Sequence, residues 1–158
     1  TSIQLEVLDQ NARAIQIYAR AGFALHRKLF SLQSLSLSPV EGAQGVAVTP
    51  SLLSAMPEGV TPCWQREQRT LELRAAQLSA VRVNTSTIVF GSSAGEAAIF
   101  RAALEPHDVQ AALDAAAQMA GARTITITNE PEGSPLLHQL IDRAWVPTFI
   151  QHEMLLQL

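Results

Sequence analysis

The sequence predicts an α/β fold, with a mixed β-sheet and helices on both of its sides. Two observations support this prediction: both ends of the 158-residue chain show a strand–helix–strand pattern, and a predicted β-hairpin lies between them. Hydrophobic residues make up 47% of the chain, which is enough to form a buried core.

The first unit begins with a strand, because apolar and polar residues alternate over residues 2–8. The cluster at 9–11 predicts a turn, with Asn11 as the N-cap of a helix. Gly22 is placed to end that helix, and the alternating residues 25–37 predict a second strand. The apolar stripe of the helix consists of Ala12, Ile15, Tyr18 and Ala19.

Residues 38–62 have a different composition. Four of the eight prolines lie there, so this region is predicted to be a linker in which the apolar piece 51–56 could dock. The sequence therefore predicts three parts: a strand–helix–strand unit at 1–37, a linker at 38–62 and a second domain at 63–158.

The second domain is predicted to be regular throughout. A helix, or a turn followed by a helix, is expected over 64–80, and a hairpin is expected around the turn at 92–95. Asp108 is the predicted N-cap of the next helix, and Pro135 stands at the favoured first position of another. The remaining predicted elements are a helix to about residue 119, a strand at 124–128 and a closing strand at 148–157.

The two ends of the chain align with each other at a constant offset of 122 positions. This offset pairs Ile3 with Ile125, and it pairs Phe23 with Trp145, each just after a small residue that ends a helix. An internal repeat is one explanation. The alternative is that any two strand–helix–strand units align this well through their periodicity.

Charge and composition exclude several classes of function. The formal net charge is −3 and the basic residues are scattered, which argues against nucleic-acid binding. No apolar stretch approaches the roughly 20 residues needed to span a bilayer, and no signal peptide is visible. A single cysteine fits a reducing cytoplasm. The chain begins directly in a strand pattern, so it is expected to belong to a longer sequence.

Residues 11–23, NARAIQIYARAGF, resemble the last conserved segment of the GCN5-related N-acetyltransferase (GNAT) superfamily. The matching positions are Asn11, Ala14, Tyr18, Gly22 and Phe23. The order of elements in 64–158 is similar to a second, diverged unit of the same fold, and its WQRE start and QHEML end look like a tandem subgroup. The resemblance implies acetyl transfer from acetyl-CoA to a small-molecule or peptide amine.

The resemblance assigns candidate roles to two residues of the first unit. Tyr18 would be the catalytic acid, because a phenol within hydrogen-bond distance can protonate the departing thiolate. Asn11 would lie near the cofactor arm. The alternatives remain open: Tyr18 could be a half-buried helix residue with a surface hydroxyl, and Asn11 could be a plain N-cap.

The second unit departs from the superfamily at the loop that binds pyrophosphate. That loop should be glycine-rich and present backbone N–H groups at a helix N-terminus. Here the sequence is ALEPHDVQ, which has no glycine, carries two carboxylates and includes Pro106. The second unit is therefore expected to be catalytically empty, and the isolated chain inactive. A non-catalytic module for dimerisation or ligand binding is the rival hypothesis.

Other features are expected to be structural. The histidine spacings match no metal-ligand pattern, so no metal site is predicted. Cys63 is expected to be inert packing, 91–95 a hairpin turn, and Trp64 and Trp145 core anchors. Finally, residues 1–35 are too few to be stable alone, so they are expected to pack on the second unit's sheet, within the chain or in a swapped homodimer.

Overall fold

The structure is a computed structural model that describes residues 1–35, 38–56 and 60–158. The last two positions of the predicted second strand, 36 and 37, and positions 57–59 of the predicted linker lie outside the described residues. The strands are β1 Ser2–Leu8, β2 Ala24–Leu35, β3 Gln44–Val46, β4 Ser79–Val83, β5 Ser86–Ser93, β6 Glu96–Ala103, β7 Thr124–Pro131 and β8 Val146–Gln157. The helices are α1 Ala12–Arg20, α2 Pro50–Ala55, α3 Gln68–Leu73, α4 Val109–Ala120 and α5 Pro135–Ile141.

All eight strands form one sheet in the order β1-β8-β2-β7-β6-β5-β4-β3. Neighbouring strands are antiparallel except β6 and β7, which run parallel. The sheet is therefore mixed, as predicted. Residues 1–35 pack on the rest of the sheet within the same chain, because β2 lies between β7 and β8 and β1 pairs with β8.

The offset of 122 positions recurs in the structure. β2 and β8 are both twelve residues long and begin at equivalent positions, 24 and 146. The β1–β8 pairs and the β2–β7 pairs also map onto each other: Ile3 lies opposite Leu156, and the equivalent Ile125 lies opposite Ser34. β8 of the second unit thus pairs with β1 of the first, and β2 of the first unit pairs with β7 of the second. The two units are related by an approximate twofold axis between β2 and β8.

One irregularity interrupts this symmetry. The β2–β7 register shifts between Phe30 and Leu32, next to Asn129, which has a φ of 56°. An extra residue in one strand of a pair produces such a bulge. The buried Asn129 side chain donates to Glu6 at 2.7 Å, and its backbone N–H donates to Ser31 Oγ at 3.1 Å. These bonds hold the bulge against the neighbouring strands.

Helices cover both faces of the sheet. The main core lies under α4, where Val109 and Leu113 pack with Ile88, Phe90 and Ile127. The opposite face carries α2 and α3, whose Leu53 and Leu71 pack against Val89. The region predicted to be a linker thus contains β3 and α2, where α2 is capped by Thr49 and buries Leu53.

Three local predictions were wrong or incomplete. Residues 64–80 were predicted to be a helix, or a turn followed by a helix. They contain a 3₁₀ turn and the short helix α3, as the second version has it, but the helix ends at Leu73 and is followed by a second 3₁₀ turn and the start of β4. Asp108 is at the N-cap of α4, but its carboxylate bonds Asn84 at 2.8 Å and Ser86 at 3.0 Å instead of capping the helix. Trp145 is a core residue, whereas Trp64 is 52% exposed.

Candidate functional site

A cleft lies where the two parallel strands β6 and β7 diverge. β6 and β7 pair from Glu96 to Ile99 and from Thr124 to Ile127. Beyond those pairs β6 continues to Ala103 and β7 to Pro131, and a cavity of about 180 Å³ opens between them and α5. We call this cavity the notch. Its walls include Phe100, Arg101, Leu104, Glu130, Ser134 and Gln139.

A buried ion pair crosses the notch. Arg66, in the 3₁₀ turn Trp64–Arg66, pairs with Glu130 near the end of β7, and only 4% of Glu130 is exposed. Arg66 Nε also donates to the Phe100 carbonyl of β6 at 2.7 Å. Ser134 Oγ donates to the second Glu130 oxygen and accepts from Leu137 N at 3.0 Å as the N-cap of α5. The guanidinium therefore joins the two diverging strands.

Arg101 of β6 also donates to the turn Trp64–Arg66. Its guanidinium donates to the Leu53 carbonyl at 2.8 Å and to the Arg66 carbonyl at 3.3 Å. Buried cations are tolerated when hydrogen bonds and carboxylates replace their water. The charged side chains among the mostly apolar walls of the notch are therefore already engaged with protein groups.

The loop between β6 and α4 does not suit a pyrophosphate. Its Glu105 side chain is exposed, Asp108 is buried at the helix start, and Pro106 lacks an N–H group. Carboxylates repel a polyanion. The loop before α4 also has no glycine, so it lacks the flexible backbone whose N–H groups bind phosphate at a helix N-terminus in such sites. The residues present here do not fit the diphosphate of acetyl-CoA.

Tyr18 lies in α1 and Asn11 caps that helix, and neither residue lines the notch. The Asn11 Oδ1 atom accepts from Ala14 N at 3.1 Å, so Asn11 is an N-cap. Tyr18 is half-buried, and its ring meets Phe23 edge-to-face at 5.8 Å between centroids. The equivalent position in α5 is Leu140, which is fully buried.

Substitution of Asn11 separates its two candidate roles. Asn11→Ser retains a capping oxygen, whereas Asn11→Ala should lower the free energy of unfolding by about 1 kcal/mol. Urea unfolding of both variants measures this difference. A cap alone predicts that Asn11→Ser matches the parent in stability, and that in the longer protein it also matches the parent in acetyl-CoA binding. Weakened acetyl-CoA binding by Asn11→Ser, in a protein of unchanged stability, would instead support the cofactor role.

A second polar cluster was not found by sequence reasoning. The buried Glu153 of β8 accepts from Arg27 Nε at 2.7 Å and lies opposite Glu6 of β1. Burial, and then the nearby Glu153 charge, raise the pKa of Glu6, although hydrogen bonds from Gln65 and Asn129 oppose the shift. Arg27 also donates to the carbonyls of residues 61 and 62, so the cluster ties this segment to the sheet.

The cysteine and two of the histidines each contact a different residue. Burial raises the pKa of the Cys63 thiol to about 11, which suits a packed thiol better than a nucleophile. His152 pairs with Asp9, and His107 lies beside Asp108. Within the described ranges, no three metal-ligating side chains come together. No helix among the described residues is long and apolar enough to cross a membrane.

Comparison with known proteins gives a match in structure only. No protein-family profile and no curated protein sequence matches this chain. The GCN5-related N-acetyltransferase of Sphaerobacter thermophilus superimposes with a TM-score of 0.61 at 13% identity, covering 98% of this chain and 59% of that one. A GCN5-related N-acetyltransferase of Kribbella flavida gives 0.57 at 13% identity, covering 96% and 66%. Eis1 of Mycobacterium abscessus gives 0.54 at 19% identity, covering 98% and 47%.

The chain therefore has the GNAT fold, as the resemblance of residues 11–23 implied. It spans less than two thirds of the length of each of these three structures. At these identities the likeness establishes the fold and leaves the reaction to be argued from the residues.

Proposed function

We propose that residues 1–158 form part of an N-acetyltransferase that transfers acetyl from acetyl-CoA to an amine. The observation that supports this most is the coincidence of the GNAT fold with the Asn11–Phe23 motif on α1. In this proposal the reaction takes place at the first unit. Tyr18 would protonate the departing sulfur, and Asn11 would lie beside the cofactor arm. Acetyl-CoA, when bound, would supply a thioester whose sulfur leaves as the amine is acylated.

The geometry of α1 is compatible with this role for Tyr18. Its ring contacts Phe23 edge-to-face, and the residue is only half-buried, which leaves part of Tyr18 accessible to a ligand. The equivalent Leu140 of the second unit has no proton to give. A hydroxyl at this position is thus a property of the first unit alone.

The second unit is proposed to be non-catalytic. Its notch is lined by the Arg66–Glu130 pair, and the carbonyl of Phe100 already accepts from Arg66. An extended acyl-CoA arm would compete for that carbonyl, and the diphosphate would meet the carboxylates of the β6–α4 loop. Both effects disfavour cofactor binding there.

The alternative function is a non-catalytic module for dimerisation or ligand binding. The mutually satisfied side chains of the notch favour this for the second unit, because they make a stable structure without any ligand. Under this alternative, Tyr18 would be a packing residue against Phe23.

The expected result is that residues 1–158 alone do not acetylate amines. Release of free thiol from acetyl-CoA can be followed with a panel of polyamines, aminoglycosides and peptides, against a no-protein control. Isothermal titration with acetyl-CoA is the companion measurement, and no heat of binding is expected at the notch. Turnover above the control by this chain would contradict the proposed inactivity. Tight binding that Arg66→Ala strengthens would place a ligand site in the notch.

A further inference from the structure

The segment at residues 60–66 is held to the sheet through side chains. We call this segment the strap; it precedes α3 and supplies three residues to the wall of the notch. In the described part of the chain no strand pairs with it. Near one end Arg27 donates to the carbonyl of Pro62 at 3.2 Å, and at the other end Arg66 pairs with Glu130. The strap can therefore leave the sheet without breaking any strand pairing.

A polar junction joins the middle of the strap to β1 and β7. Gln65 Oε1 accepts from Cys63 Sγ at 3.1 Å and from Asn129 Nδ2 of β7 at 3.2 Å. The same Asn129 nitrogen donates to Glu6 Oε2 of β1 at 2.7 Å. One shared amide thus connects the carboxyl of Glu6 to both the strap and the second unit.

The surroundings of Glu6 disfavour a negative charge. Its Oε1 atom is buried, and within the described residues no donor meets that oxygen with hydrogen-bond geometry. Glu6 also stands directly opposite Glu153 of β8. Both oxygens of Glu153 accept from Gln4 and Arg27, which is the bonding of an ionised carboxylate. Burial, and after it the charge of Glu153, raise the pKa of Glu6, so this arrangement suits a protonated Glu6.

An ionised Glu6 weakens the attachment of the strap in two ways. A buried charge without a donor is costly until water reaches it, and the strap is the side of the junction that can move, because β1 is paired with β8 along its whole length. Arg27 also lies near enough for its charge to act on Glu6. An ionised Glu6 therefore competes with the carbonyl of Pro62 for that guanidinium.

We propose that Glu6 is a proton-dependent switch for the strap: protonated Glu6 keeps the strap closed on the sheet, and ionised Glu6 favours its release, which opens that wall of the notch. Three ionisable side chains act on this carboxyl or are acted on by it: Glu153 from β8, Arg27 from β2 and Cys63 from the strap. Arg27 and Glu153 already form an ion pair, and burial raises the pKa of Cys63 to about 11. This inference goes beyond the proposed function and does not depend on acetyl transfer.

The sign of the pH dependence follows from the raised pKa of Glu6. The pKa is raised while the strap is closed and returns toward its ordinary value of 4.5 when the strap opens. The closed form is therefore fully favoured below the ordinary value and is progressively lost as the pH rises to the raised one. Over this interval the equilibrium constant for opening should rise by up to about tenfold per pH unit, because opening releases one proton. Above the raised pKa the constant levels off.

Cys63 reports the opening, because it is the only cysteine of the chain and is fully buried. Its rate of reaction with a dipyridyl disulfide is measured from about pH 4.5 to about pH 8 and divided by the rate of the urea-unfolded chain, which removes the pH dependence of the thiol itself. This ratio should rise with pH and then level off. Glu6→Gln cannot ionise and should give a low ratio that does not change with pH. Glu67→Gln, which removes an exposed carboxylate just after the strap, should behave as the parent does.

The parent profile decides the question even if Glu6→Gln does not fold. A parent ratio that stays constant or falls as the pH rises overturns the proposal, and so does the same rise in Glu6→Gln. The free energy of opening must also be smaller than the free energy of unfolding from urea titration at the same pH. Equal values would mean that Cys63 reacts only through global unfolding, and they overturn the switch. Faster exchange of the Leu5 and Val7 amides without a change at Cys63 would show that β1 moves instead, which overturns it likewise.

Discussion

Arg66→Ala should lower the free energy of unfolding by about 3–5 kcal/mol, because it leaves a buried carboxylate without its partner. Glu130 is 4% exposed and accepts from both Arg66 and Ser134. Removal of the guanidinium leaves one oxygen uncompensated in a poorly solvated site. It also removes the donor to the Phe100 carbonyl, which joins the diverging ends of β6 and β7. Urea unfolding, followed by circular dichroism, measures the loss.

Arg69→Ala is the matched control. Arg69 is in the neighbouring helix α3, its side chain is 77% exposed, and its ion pair with Glu72 spans 3.8 Å. An exposed pair of this kind contributes roughly 0–1 kcal/mol, so this variant should unfold almost as the parent does. Glu130→Gln combined with Arg66→Met should recover part of the stability, since both charges leave together. Equal losses for Arg66→Ala and Arg69→Ala would show that the pair across the notch is not buried in solution.

The elements that could be predicted were those whose signals are local. The capped helix at 12–20, the hairpin around 92–95 and the helix starting at Pro135 each depend on residues within a few positions of one another. The offset of 122 positions was also visible, because both units place an aromatic residue after a small one with positive φ. Gly22 has a φ of 94° and Ala144 one of 61°.

The features that could not be predicted depend on contacts between distant residues. Arg66 and Glu130 are 64 positions apart, and neither stands in a motif. Insertion of β2 between β7 and β8 is set by the whole sheet, so the alternation of β2 could reveal a strand but not its neighbours. β4 was missed because Ser79 and Ala80 follow a helical pattern, and tertiary pairing with β5 decides their conformation.

Tyr18→Phe should lower kcat by roughly 10²-fold or more in the longer protein that we propose, while acetyl-CoA affinity stays nearly unchanged. The physical reason is that phenylalanine keeps the ring and its edge contact with Phe23 but removes the only phenolic proton in the chain. Loss of a proton donor raises the barrier of the step in which the sulfur leaves. Steady-state kinetics give kcat, and isothermal titration gives the affinity.

Two further measurements separate the acid from a packing residue. The free energy of unfolding of Tyr18→Phe should equal that of the parent, because the ring packs as before. Tyr18→Leu, which installs the side chain of the equivalent Leu140, should lose kcat to the same extent and in addition lose stability with the Phe23 contact. If Tyr18→Phe retains full kcat and only Tyr18→Leu is impaired, the ring is what matters, and Tyr18 serves packing alone.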